Sequence, residues 1–214
     1  MKLFEVFEQL SVGELSQLSL GGGESGEINP SNYAKVVAHI NLGLTALYTR
    51  FCLKESELII PLVEGTLKYA LTAQDILKVE RIYDAANAEW ALNDEANSLA
   101  CRTLSPTLIQ IPQELLDTSG LIRVNYRANH PRIVVVAGYI DPSITELELP
   151  YSYLQALLYF VASRCHNPVG MINEFHAGNS YYTKYVAECD RLELENLEMG
   201  QGGQYERLYY NGWV

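Results

Sequence analysis

The sequence predicts an α+β fold: a helical bundle of long helices with an inserted antiparallel β region and an extended C-terminal tail. Three observations predict it. Apolar residues recur at helical spacing near both ends of the chain, as a helix with one buried face requires. Between residues 55 and 148 the period shortens to alternation, the pattern of half-buried strands. After Met199 the composition turns to glycine and tyrosine with neither period. The expected organisation is one domain over 1–199, with the bundle drawn from 1–54 and 149–199 and the β region from 55–148, followed by a flexible tail over 200–214.

Leu3 to Leu10, with Phe4 and Phe7, reads as a short amphipathic segment, and Gly21-Gly22-Gly23 as a loop. No Gly-Lys-Ser or Gly-Lys-Thr follows those glycines, so they do not make a phosphate cradle. Asn29-Pro30 starts a long helix, because Asn accepts the orphan amide bonds at the N-cap and Pro loses nothing at the first helical position. Tyr33, Val36, Val37, Ile40, Leu44, Leu47, Tyr48 and Phe51 give it one broad apolar face to about Leu53. Gly43 inside it costs about 1 kcal/mol relative to Ala, which implies close packing on a neighbour.

Glu57 to Val63 reads as a strand that Pro61 confines to an edge or a bulge. A helical turn is expected over Gly65 to Leu71. Ile76 to Tyr83 and Ala88 to Leu92 flank the turn Asp84-Ala-Ala-Asn87 as a hairpin, although an amphipathic helix has the same apolar count. Thr107 to Ile111 and Leu121 to Tyr126 are the clearest strands, and Arg132 to Ile140 is either a further strand or an apolar loop. Two helices follow, Pro150 to about Cys165 and about Asn173 to Leu197. The short link Asn167-Pro-Val-Gly170 makes them an antiparallel pair.

Composition bounds the function. With 214 residues, 48% hydrophobic and 19% charged, the chain has the make-up of a globular protein able to bury a sizeable core. A net charge of -11 opposes a nucleic-acid binder, since clustered Lys and Arg supply phosphate affinity. No apolar run reaches the roughly 18 residues of a membrane span. Met1-Lys2-Leu3-Phe4-Glu5 lacks the apolar run of a signal peptide, so a protein soluble and cytoplasmic when made is expected. Cys52, Cys101, Cys165 and Cys189 share no ligand-like spacing and are expected to be reduced, buried thiols.

Little in the chain points to chemistry. His39, His130, His166 and His176 never stand at i, i+4 on one helix, and Glu174-Phe-His176 lacks the second histidine of a metalloprotease motif. There is no Gly-x-Ser-x-Gly elbow, dinucleotide fingerprint or P-loop. No catalytic residue, metal or cofactor is therefore expected. Instead, tyrosine is abundant, at 15 residues. Tyr153, Leu157, Phe160, Tyr181 and Tyr185 are read as core and subunit-packing residues of the C-terminal helices. An exposed tail with Tyr205, Tyr209, Tyr210 and Trp213 would be an aggregation liability unless a partner buries it, so these four are read as a protein-binding segment.

The order of parts resembles the head-to-tail adaptor family of short-tailed bacteriophages, of the tail tubular protein A type. The likeness is carried by Asn29-Pro30-Ser-Asn-Tyr33 through Phe51-Cys52, by Val124-Asn-Tyr126-Arg-Ala-Asn-His-Pro131, by Leu149-Pro150 with Ala156-Leu157 and Val161-Ala-Ser-Arg164, by Asn167-Pro-Val-Gly-Met171, and by Tyr181 to Leu192. It spans about Leu3 to Leu197 and rests on order and spacing. The resemblance implies a structural virion protein of the phage neck, a twelve-fold homo-oligomeric ring between portal protein and tail nozzle protein. Genomic DNA would pass through the ring without sequence-specific binding, and Tyr205, Tyr209, Tyr210 and Trp213 would grip the portal. Two alternatives stand beside it: a head-completion or stopper protein of a long-tailed phage, against which the substantial β middle speaks, and a tail-associated cell-wall hydrolase.

Overall fold

The computed structural model describes residues 1–16, 18, 27–116, 119–136, 138–166 and 172–195, with the backbone alone for 172–177. It is an α+β structure of five α-helices and seven strands in two antiparallel sheets among the described residues. The expected bundle of long helices is not formed. The helices are α1 (Leu3–Val12), α2 (Tyr33–Arg50), α3 (Gln113–Leu116), α4 (Leu154–Cys165) and α5 (Ile172–Leu194), and three of the five have twelve residues or fewer. Local breaks shorten them: Gly13 ends α1, a 3₁₀ turn at Pro30–Asn32 delays α2, and another at Tyr151–Tyr153 delays α4. The described residues divide into two compact units, one from residues 1–47 and 130–195, the other from residues 48–129.

In the first unit α1 turns Leu3, Val6, Phe7 and Leu10 inward at helical spacing, and α2 does the same with Val36, Val37, Ile40, Leu44 and Leu47. Asn29 caps the 3₁₀ turn, its Oδ1 accepting from the Ser31 amide at 3.0 Å. The close approach implied by Gly43 is real: a Cβ there would stand 2.7 Å from Leu157 Cδ1 and 3.0 Å from Phe160 Cδ1, so α4 is the neighbour it admits. Residues 132–136 and 138–140 lie in a loop rather than a strand. Asn41 satisfies both backbone groups of Ile133, donating to its carbonyl and accepting from its amide at 2.9 Å each, so no strand partner is needed. Gly138, at φ +81, then turns the chain between the paired Val136 and Tyr139. Farther on, the segment pairs with the N-terminus, the Leu3 amide donating to Thr145 and the Leu147 amide to Met1 at 2.9 and 2.8 Å.

The second unit holds both sheets. The larger has the order β1 (Glu55–Pro61), β7 (Leu121–Ala128), β3 (Ile76–Asp84), β4 (Glu89–Trp90). Pro61 lies in the edge strand β1, where its missing donor costs no ladder bond. Strict alternation along β7 buries Ile122, Val124, Tyr126 and Ala128. Ile60 and Leu58 face Ile122 and Val124 from one side, while Ile82 and Val79 face Val124 and Tyr126 from the other. The β3–β4 connection is a hairpin, not a helix. Asp84 Oδ1 accepts from the Ala86 and Ala88 amides at 2.8 Å each, and Asn87 takes the positive φ of 68 that the turn requires.

The smaller sheet has the order β2 (Lys68–Ala70), β6 (Leu108–Gln110), β5 (Arg102–Ser105). Here the expected helical turn over Gly65 to Leu71 is replaced by a strand. Tyr69 is the reason: it lies opposite Ile109, and its hydroxyl pins the preceding loop by bonding both the amide and the carbonyl of Val63. Ile109, Ile111, Trp90, Cys101 and Leu116 join Ile82, Ile122 and Val124 in one apolar cluster. The β region thus closes on a core of its own instead of decorating a bundle, which is the physical reason the bundle expectation fails.

Candidate functional site

The C-terminal helices carry the residues read from sequence as packing positions. Tyr153, Leu157, Phe160 and Tyr185 are buried, and Tyr181 is half-buried. Phe160 and Tyr185 meet edge-on, with centroids 5.2 Å apart and planes at 73°, a favoured aromatic geometry. His166 stacks on Tyr181 at 5.1 Å. The later residue of α4 therefore meets the earlier one of α5, and the two helices run antiparallel.

This pair is tied to the turn after α1 through Glu14. His166 Nε2 lies 2.7 Å from the Glu14 carbonyl, so it is the protonated ring nitrogen, and Gln155 Nε2 donates to the Glu14 carboxylate at 3.2 Å. Burial, and then the Glu14 charge, raises the Tyr181 phenol above its ordinary value. Lys184 places its ammonium over two rings, 5.0 Å from Tyr181 and 5.7 Å from Tyr159. Tyr182, half exposed, leans on Tyr185 at 5.9 Å. Around Tyr181, Tyr182 and Lys184, α5 presents an aromatic and cationic rim.

The remaining ring nitrogens are also placed by packing. His130 Nε2 accepts from the Glu148 amide at 3.0 Å, which puts the proton on Nδ1, and Nδ1 faces the Pro131 carbonyl. With its lone pair engaged, His130 is no general base, although it lines a cavity of about 350 Å³ with Arg132, Thr145 and Glu146. His39 of α2 is different. Its Nδ1 is buried with no hydrogen-bond partner. Burial, then the charges of Lys35 and Arg164, hold its pKa below the ordinary imidazole value. Among the described residues no three His, Cys, Asp or Glu side chains converge as metal ligands, and no helix is long and apolar enough to cross a membrane.

All four cysteines are free and buried, as expected. Burial pushes the Cys101 and Cys165 thiols up to about 11. Burial together with the Glu55 carboxylate does the same for Cys52. An unfolded thiol ionises near about 8.5, so between that pH and about 11 the unfolded chain loses protons that the folded chain keeps. Stability should then fall as pH rises through this window and be independent of these groups below it. Urea midpoints at pH 7.5 and 10 measure the fall, and Cys101→Ala should flatten part of it; a slope unchanged in that variant would remove Cys101 from the account.

The proposed portal-binding residues Tyr205, Tyr209, Tyr210 and Trp213 lie outside the described residues. Sequence reasoning missed a second feature, a run of exposed apolar side chains: Val134, Val136, Tyr139 and Ile144 in the loop after Ile133, and Tyr151 before α4. Only the run Ile133-Val-Val-Val136 signalled it. It also missed the Lys35–His39 pair, whose i, i+4 spacing on an apolar helix was the available signal. No family model and no curated protein sequence matches the chain.

Proposed function

We propose that this chain is a structural connector, a head-to-tail adaptor subunit that forms a ring between the portal and tail nozzle of a short-tailed bacteriophage and continues the DNA channel. One observation supports it most. His130 and His166 are engaged in hydrogen bonds and the four thiols are buried, while Tyr139, Ile144 and Tyr151 stand more than 60% exposed. Exposed apolar surface of that kind marks partner contacts. The reading is non-enzymatic, with no cofactor, and rests otherwise on the order of motifs that resembles the adaptor family. The charge of -11 suits a ring through which DNA slides without tight phosphate contacts.

In this reading Tyr205, Tyr209, Tyr210 and Trp213 are the portal anchors. The test is assembly on cognate portal rings, seen by negative-stain microscopy and co-sedimentation. The full chain should add a ring to the portal, and deletion of residues 200–214 should abolish that addition while leaving unfolding stability nearly unchanged. Full-affinity assembly of the truncated chain would show that the tail is not the grip; no assembly of the full chain would end the connector reading.

A further inference from the structure

Two exposed helix stripes of the first unit are opposite in charge and alike in shape. On α2, Lys35, Ala38, His39 and Leu42 follow one another at helical spacing on one face, and Leu42 is 55% exposed. On α1, Phe4, Glu8 and Val12 stand at i, i+4 and i+8, with Phe4 46% and Val12 64% exposed. Large apolar side chains are uncommon on the outer face of a helix that is already amphipathic, and here each stripe pairs them with one sign of charge.

The α2 stripe is extended by α4. Gly43 meets both Leu157 and Phe160, and the Arg164 guanidinium lies over the Phe160 ring at 5.3 Å. His39 is one turn before Gly43 and Arg164 one turn after Phe160, and the charges of Lys35 and Arg164 both act on His39, which places Arg164 on the Lys35–His39 side of the contact. Neither Lys35 nor Arg164 makes an ion pair among the described residues. In a chain of charge -11, two cations without an ion pair, Lys35 and Arg164, on the side of α2 that carries an exposed leucine form a docking surface for something acidic and apolar.

We infer that its occupant is a second copy of this chain, which presents the α1 stripe of Phe4, Glu8 and Val12 to the Lys35–Leu42–Arg164 face of its neighbour. Charge complementarity selects the partner: the same molecule carries an acidic–apolar helix stripe matched to its own basic–apolar one. Helix spacing supplies the fit, since residues four apart on both stripes repeat at the same rise. The contact does not depend on a portal, and its failure would leave the connector reading standing.

Sedimentation velocity on the full-length chain, carried to about 0.5 mM to reach a small charge-led contact, decides it. Wild type should self-associate, and association should weaken from about 50 to about 500 mM NaCl as the screening length shortens about threefold. Lys35→Glu and Glu8→Lys should each raise the dissociation constant at least about tenfold, and the double reversal should restore it to within about threefold, because like charges across a contact repel and swapped charges attract again. Leu42→Glu should also disrupt it, whereas Ile59→Glu, in the second unit and equally exposed, should not. Circular dichroism confirms that each variant folds. Monomeric wild type at every concentration, an unaffected Lys35→Glu, or a double reversal that fails to associate would overturn the inference.

Discussion

Leu157→Ala is expected to destabilise the first unit by roughly 2 to 5 kcal/mol, the range for truncating a leucine that neighbours cannot close over. Leu157 is fully buried, and its Cδ1 faces the Gly43 position of α2. The same contact sets the sign at Gly43. Alanine there gains about 1 kcal/mol of helix propensity but drives its methyl into Leu157 and Phe160, and overpacking of a closed core costs about 1 to 3 kcal/mol. Gly43→Ala should therefore destabilise wild type yet stabilise Leu157→Ala, whose cavity accepts the added methyl. Four of the five described helices lie wholly or mostly in this unit, so the helical signal at 222 nm in urea reports its unfolding. A Leu157→Ala effect within about half a kcal/mol would show that the α2–α4 seam is not a core.

That seam was legible in the sequence, and the reason is that its signals are local. Gly43 in a helical run announces a close neighbour, and Tyr153, Leu157 and Phe160 repeat at helical spacing, so the buried face and the presence of a close neighbour were both readable. The strict alternation of Leu121 to Tyr126 made β7 equally plain. Lys68–Ala70 could not be read the same way. Three residues are too few for a period, and what makes them a strand is Ile109, forty residues away, together with the Tyr69 hydroxyl on Val63. Arg102–Ser105 and Gln113–Leu116, at four residues each, are likewise too short to carry a period. The bundle failed at a higher level: periodicity shows which face of an element is apolar but not which partner that face meets, and the strands found their partners among themselves. At the candidate surface, single exposed residues such as Leu42 and Ile144 differ from core leucines only in where the fold leaves them.

Removing the guanidinium of Arg127 should cost about 1 to 3 kcal/mol, the range for leaving a partly buried polar or charged group short of its partner. Arg127 lies on the β7 face opposite the apolar cluster. Its Nη1 donates to the Thr49 carbonyl at 2.7 Å, and its Nη2 stands 3.0 Å from Glu80 Oε1. That approach is an ion pair without hydrogen-bond alignment, because Glu80 Oε1 and Arg127 Nε both lie buried without a hydrogen-bond partner. Both side chains are at most 22% exposed, so water screens the pair less than it does the Lys78–Glu80 contact, whose lysine is 65% exposed. In Arg127→Ala the Glu80 carboxylate keeps only that exposed lysine, and the cost is mostly this stranded charge rather than the pair's own attraction. Glu80→Gln should therefore be mildly destabilising in wild type but should recover part of the loss in Arg127→Ala. Arg127→Lys should fall between, since one ammonium cannot reach Thr49 and Glu80 in the forked geometry of a guanidinium. Trp90, in the cluster on the other side of the same sheet, reports the unfolding of this unit in a Trp213→Phe background. If Glu80→Gln is as costly in Arg127→Ala as in wild type, the two side chains are not coupled and the charge is carried by Lys78 alone.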